Sequence, residues 1–195
     1  ACPSPNYEER RDGMRPSVIV LHYTGTRTAE EARERFCDPS PTDAVGRISP
    51  HYMIDGDGAV LAFVPEDKRA WHAGNAAWRD IRDMNSASIG IEIWNTGHEY
   101  DLEDFRPAQI ESVIALIRDI RTRWDIPDRN IVGHSDIAPG RKLDPGEKFP
   151  WATLADAGIG VMPRGLGTSS ASLDFYEGLV RYGYTYPADP ATVLT

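Results

Sequence analysis

Cysteine is scarce in this chain: Cys2 and Cys37 are the two present among 195 residues. Two thiols cannot build a disulfide framework or a four-cysteine zinc site, so two reduced thiols of a cytoplasmic protein are the expectation. Long apolar runs are missing as well. No stretch approaches the roughly 20 residues that span a bilayer, so no transmembrane segment is expected. The opening Ala1-Cys2-Pro3-Ser4-Pro5-Asn6 lacks the charged and apolar regions of a signal peptide. Cations are outnumbered, 21 Lys and Arg against 30 Asp and Glu, for a formal net charge of −9. With a pI near 5.0 this argues against nucleic acid as a partner, which needs a basic footprint. Repeats and low-complexity tracts are also absent. What remains is an acidic chain, 41% hydrophobic and 26% charged, long enough for one sizeable core.

The pattern of elements is α/β. Ser17-Val18-Ile19-Val20-Leu21 is continuous and β-branched, as a strand buried on both faces should be. Thr28 is placed to cap a short helix that runs to about Phe36, with Glu30 and Glu31 in its first turn. Residues 51–54 and 59–64 read as a hairpin around Asp55-Gly56-Asp57-Gly58. A long irregular stretch from Lys68 to Ser86 has the character of a binding loop. Ile89-Gly90-Ile91-Glu92-Ile93-Trp94 alternates with period two, setting the isoleucines on one side and Gly90 with Glu92 on the other. Pro107 opens a helix whose stripe runs from Ile110 through Ile120 to Trp124, and Asn130-Ile131-Val132 is a further short strand. The fold class expected is α/β, a central mixed β-sheet flanked by helices. Residues 1–162 are expected to form the main domain and 163–172 a linker. Residues 173–195 then form a small C-terminal helical segment that breaks off at Thr195, with a second helix starting near Asp189.

Chemistry concentrates at strand ends. His22 and His134 each follow a strand, and Asp144 comes ten residues after His134. Two imidazoles and a carboxylate are a common zinc set that leaves a position for water, whose pKa zinc lowers towards ~7. Glu92, beside open space left by Gly90, is a seat for a general base, and Lys142 is placed to stabilise an oxyanion. Each residue alone has an ordinary reading: a structural histidine, a turn aspartate, a buried ion pair, a loop lysine. A metal-independent hydrolase using Thr24 or Ser135 as nucleophile is a further alternative at this point.

The segment Gly133-His134-Ser135-Asp136-Ile137-Ala138-Pro139-Gly140-Arg141-Lys142-Leu143-Asp144-Pro145-Gly146 closely resembles the signature of the type 2 N-acetylmuramoyl-L-alanine amidases. Within that family the likeness is greatest to the AmpD-type 1,6-anhydro-muramyl-peptide amidases. Val20-Leu21-His22-Tyr23-Thr24, Ser49–Ile54, Ala70–Gly74 and Asn85–Glu92 agree in order, and the resemblance covers roughly residues 15–160. It implies an amidase type 2 or peptidoglycan-recognition-like fold, Zn²⁺ on His22, His134 and Asp144, and catalysis by Glu92 and Lys142. The implied reaction is hydrolysis of the amide between the lactyl group of (1,6-anhydro-)N-acetylmuramic acid and L-alanine, in peptidoglycan recycling or turnover. Related recognition proteins and phage amidases place a tyrosine where this chain has Pro50, which fits the branch in which Glu92 acts instead. A non-catalytic peptidoglycan-binding module is the alternative, opposed by the complete ligand set.

Among the remaining candidates, Trp71, His72 and Asn85 are assigned to substrate binding. Trp71 reads equally as a core residue and Asn85 as the cap of a turn. His51 reads as structural and His98 as a solvated loop residue. The partner expected is a muropeptide or peptidoglycan fragment, met by a basic cleft bordered by Arg47, Lys68, Arg69, Arg79, Arg82, Arg141 and Lys142. The chain is expected to be a cytoplasmic monomer; a periplasmic or lipid-anchored protein is the alternative, if Ala1-Cys2 is a processed N-terminus.

Overall fold

A computed structural model describes residues 3–162 and 174–185. The N-terminal strand β1 (Tyr7–Glu9) precedes β2 (Val18–Tyr23), the continuous apolar run, whose Val18 to Leu21 are fully buried. Helix α1 (Ala29–Cys37) follows, its Glu31 N–H donating to Thr28 Oγ1 at 3.1 Å as the cap requires. Next come β3 (Tyr52–Ile54), β4 (Val60–Ala62) and β5 (Lys68–Ala70). A one-turn helix α2 (Met84–Ala87) leads straight into β6 (Ser88–Ile93). The long helix α3 (Pro107–Arg121) precedes β7 (Ile131–Gly133), and α4 (His134–Ile137) and α5 (Trp151–Asp156) complete the main body.

Five strands form one mixed sheet in the order β4–β3–β6–β2–β7, with β3, β6, β2 and β7 parallel and β4 antiparallel at the edge. Strand alternation divides its residues between two faces. Ile19, Leu21, Ile54, Ile89, Ile91 and Ile93 pack beneath Ile110, Val113, Ile117 and Ile120 of α3. Each such side chain contributes about 1.5–3 kcal/mol by leaving water. On the opposite face Val18, Val20 and Val132 meet Ala73, Trp78, Met84 and Ile137, while Met53 meets Ala32 and Phe36 of α1. That second face carries His22 and Glu92, which stand in register on β2 and β6.

The stretch expected to be irregular is partly ordered: β5 pairs antiparallel with β1 in a separate two-stranded sheet. Tyr7, Glu8 and Glu9 are all exposed, so no apolar alternation announces the pair. The long helix stops at Arg121, and Trp124 packs on the core from the following turn instead of extending the stripe.

The C-terminal helix α6 (Phe175–Tyr182) lies where an amphipathic helix is expected; the linker at 163–172 and the helix start at Asp189 fall outside the described residues. The segment that ends α6 sits against the main body. Tyr182 and Tyr184 meet Trp78 edge-on at 5.8 and 5.6 Å, and Tyr184 Oη donates to Asp136 Oδ1 at 2.5 Å. Among the described residues no helix is long and apolar enough to cross a membrane.

Candidate metal centre and active site

The parallel strands deliver the site. His22 lies near the carboxyl end of β2, and His134 is the first residue after β7, whose Gly133 pairs with Leu21. Ligand sites of open α/β sheets gather at such strand ends because side chains there converge beyond the last ladder bond. Asp144 reaches the same point from the loop after α4, tied there by Ser135 N–H donating to its carbonyl at 2.9 Å. All three residues are buried.

Three atoms converge. His22 Nδ1 stands 3.0 Å from His134 Nδ1 and 2.9 Å from Asp144 Oδ2, and His134 Nδ1 stands 3.0 Å from the same oxygen. Ligand atoms about 2.1 Å from a tetrahedral zinc are roughly 3.4 Å apart, so the triangle need open by only a few tenths of an ångström to take one. Two nitrogens and a carboxylate oxygen also match zinc's preference in donors. The outer nitrogens are occupied: His134 Nε2 lies 3.0 Å from the Ala73 carbonyl, and His22 Nε2 lies 3.0 Å from His72 Nδ1. A carbonyl can only accept, so His134 Nε2 carries a proton, and Nδ1 is the nitrogen turned toward the triangle. Burial, helped by the neighbouring His134 ring, pushes the His22 pKa down to about 4. Its imidazole is therefore neutral near pH 7, as ligation requires.

Glu92 stands beside this triangle on the next strand. Its Oε2 is buried without a hydrogen-bond partner among the described residues. Burial, then the charge of Asp144, pushes its carboxyl well above the usual carboxylate range, against the pull of Lys142. A bound cation works in the opposite direction. A carboxyl raised in this way is suited to taking up and releasing a proton. Lys142 is exposed, in the same loop as Asp144, and close enough for its charge to act on both Glu92 and His22.

The space beside Gly90 and the position of His72 differ from the sequence reading, whereas His51 and His98 do not. The space over Gly90 is filled: a Cβ there would stand 2.5 Å from His72 Cγ. His72 is thus buried behind His22 instead of lining an open cleft. Asn85 is buried too, its Oδ1 accepting the backbone N–H groups of His72 and Ala73 at 3.0 and 2.8 Å. Trp71 is half-buried, with the Arg47 guanidinium 4.8 Å from its ring centre. His51 is fully buried, accepting from Gly90 N–H at 3.0 Å through Nδ1. His98 is exposed yet engaged, bridging Tyr23 Oη at 3.0 Å and Glu147 at 2.8 Å.

The basic border also differs. Lys68 and Arg69 pair with Glu9, Glu8 and Asp83, Arg79 and Arg82 hold residues 182 and 185, and Arg141 holds the carbonyls of Ala73 and Asn75. Most of these cations are committed to holding loops together, which a charge count along the sequence cannot reveal. Serine 88 and the Ala73 carbonyl, both behind the ligands, had no sequence signal of their own. Gly90 did: a glycine inside an isoleucine-rich strand marks close approach of another group.

Comparison with known proteins gives the family. Residues 12–147 match the Amidase_2 family, N-acetylmuramoyl-L-alanine amidase. The chain belongs to this family. It is 36% identical to N-acetylmuramoyl-L-alanine amidase AmiD of Escherichia coli K12, across 90% of this chain and 69% of that protein. It is 35% identical to 1,6-anhydro-N-acetylmuramyl-L-alanine amidase AmpD of Citrobacter freundii, across 77% of this chain and 84% of that one. The crystal structure of AmpDh3 from Pseudomonas aeruginosa in complex with anhydromuramic pentapeptide superposes with a TM-score of 0.75 at 31% identity, covering 93% of this chain and 80% of that one. The amidase fold is therefore the mixed five-stranded sheet described above, and its matched region contains His22, Glu92, His134, Lys142 and Asp144.

Proposed function

We propose that this amidase hydrolyses the amide between the lactyl group of 1,6-anhydro-N-acetylmuramic acid and L-alanine in muropeptides, with Zn²⁺ held by His22, His134 and Asp144. The observation that carries the reading is the buried triangle of Nδ1, Nδ1 and Oδ2 atoms at 2.9–3.0 Å, with the His134 proton turned outward. When bound, zinc supplies Lewis acidity, which polarises the scissile carbonyl and acidifies water at neutral pH. Glu92 accepts the proton of the attacking water and passes it to the alanine nitrogen. As the carbon–nitrogen bond breaks, the lactyl group leaves as a carboxylate and the peptide as a free amine. Lys142 offers an ammonium to the oxyanion that forms when water adds to the carbonyl. The anhydro substrate class is supported by AmpD and by the anhydromuramic pentapeptide bound to AmpDh3.

A cytoplasmic recycling role and a monomeric state belong to the same proposal. The test is mass spectrometry of digests containing anhydro- and reducing-end muropeptides, before and after chelation. Release of the stem peptide from the anhydro form, lost on chelation and restored by Zn²⁺, is expected. Activity that survives exhaustive chelation refutes the metal reading; equal rates on both substrates refute the anhydro assignment.

A further inference from the structure

Residues 174–185 lie beyond the stretch that matches the amidase family, 12–147, yet their last turn reaches back to the ligands. Segment 182–185 is a strap laid against two elements of the site. On one side it holds the loop that follows Ala73. Arg79 donates its backbone N–H to the Gly183 carbonyl at 2.9 Å and its guanidinium to the Tyr182 carbonyl at 2.6 Å, and Arg82 reaches Thr185 Oγ1 at 3.3 Å. Arg79 needs such support, because its φ of 54° lies in the left-handed region. Gly183 fits where nothing larger does, since a Cβ there would stand 2.6 Å from Trp78 Cζ2. On the other side Tyr184 Oη donates to Asp136 Oδ1 at 2.5 Å. Asp136 Oδ2 in turn accepts the Gly133 N–H at 2.8 Å, the amide immediately before His134. A carboxylate is planar, so holding one oxygen aims the other.

We propose that Tyr184 is a positioning residue that, through Asp136, fixes the turn from which two of the three metal ligands are hung. His134 is the first residue of that turn, and Ser135 N–H, the next amide, ties the Asp144 carbonyl at 2.9 Å. Gly133 sits so close to the Asp144 loop that a Cβ on it would stand 2.7 Å from Pro145 Cδ, so a small shift of this backbone is passed to both ligands. Gly133 has no side chain with which to cap α4. Asp136 therefore secures the turn from within, and Tyr184 secures Asp136 from outside. The strap also reaches α4 by a second route, because the loop it holds donates Ala77 N–H to the Ile137 carbonyl at 2.9 Å. A segment outside the matched family region thus steadies the geometry of the metal centre.

This inference rests on the metal reading proposed above, and the two fail differently. Tyr184→Phe removes one oxygen and keeps the ring against Trp78. Zn²⁺, titrated against a chelating competitor into the zinc-stripped full chain, should bind this variant roughly 10-fold more weakly than wild type, the lower end of the usual cost of losing an outer partner of a ligand. Amide hydrogen exchange at Gly133 and His134 in the zinc-free variant should speed up several-fold, and the change should stay within residues 133–136. A double-mutant cycle separates positioning from mere docking: with Asp136→Ala already in place, Tyr184→Phe should cost no further affinity. A strap that only stabilises the fold would lower the melting temperature and leave the zinc affinity of the folded protein unchanged. That result overturns the inference, as does an equal loss of affinity in both backgrounds or unchanged exchange at Gly133. Should Asp136→Ala fail to fold, the exchange pattern of Tyr184→Phe decides, acceleration spread over the whole domain counting against the proposal. A wild type that binds no zinc overturns the metal reading instead, and exchange at Gly133 still decides the role of Tyr184.

Discussion

Adding one methyl group at Gly90 tests how tightly the site is built. An ideal Cβ there would stand 2.5 Å from His72 Cγ, 2.6 Å from Nδ1 and 2.7 Å from Cδ2. Ordinary carbon contacts are about 3.5–4.0 Å, so the ring has to retreat by roughly 1 Å. It has nowhere easy to go. Its two nitrogens are bonded to His22 and Ser88, and its backbone is held by Asn85. Overpacking of this kind costs about 1–3 kcal/mol, and each strained hydrogen bond adds about 1 kcal/mol. A loss of about 3 kcal/mol in a chain of this size lowers the melting temperature by roughly 6–12 °C. The assay is thermal unfolding followed by circular dichroism, with and without Zn²⁺. Gly178→Ala in α6 is the control, since a Cβ there meets nothing within 4 Å and should leave the main transition unchanged. A Gly90→Ala protein that melts within 1 °C of wild type would refute the wedge formed by His72 and Gly90.

Two further perturbations probe the charged groups. Glu92→Gln should retain zinc binding yet lose about 10²–10⁴-fold in turnover, measured as stem-peptide release. Because the folded-state pKa of Glu92 is raised, the folded protein holds its proton where the unfolded chain has released it. The carboxyl therefore costs nothing below the usual carboxylate range and destabilises the zinc-free protein progressively as pH rises above it. The Gln variant should gain stability over wild type between pH 4 and 7, and a difference that does not change with pH would contradict the assignment. Three buried histidines act in the opposite direction. His22 is pushed down to about 4, His51 to about 3, and His72 well below its ordinary value, all chiefly by burial. Stability from their neutral forms is present above the unfolded value of about 6.5 and is lost as pH falls towards 4. Three protons taken up on unfolding correspond to a slope of up to about 4 kcal/mol per pH unit near pH 5, readable from denaturant melts. A slope below about 1 kcal/mol per unit would show that these rings are not held neutral.

What was legible in the chain itself is local or repeated. The buried run Val18–Leu21, the alternation of Ile89, Ile91 and Ile93, and the stripe on α3 each state in sequence which face is apolar, because side-chain direction follows backbone period. The ligand and catalytic candidates were legible through the motif around His134 and Asp144, together with the strand-end position of His22. Pairing of β1 with β5 was not legible: its strands are 3 residues each and lie sixty residues apart, with no apolar pattern to register them.

The sequence by itself determined the layer architecture and the family, and it supplied the candidates for the chemistry. Only the tertiary structure decided what stands behind them. The same imidazole type joins the triangle, stands behind it or braces a strand according to which partners the fold brings to its two nitrogens. Asn85, His72 and Ser88 are neighbours of the site through chain crossings that no local spacing encodes. Likewise the cations counted along the chain are, for the most part, spent on loops and carboxylates that only the folded backbone places beside them. Charge and residue type are properties of the chain; proton position and free valence are properties of the packed interior.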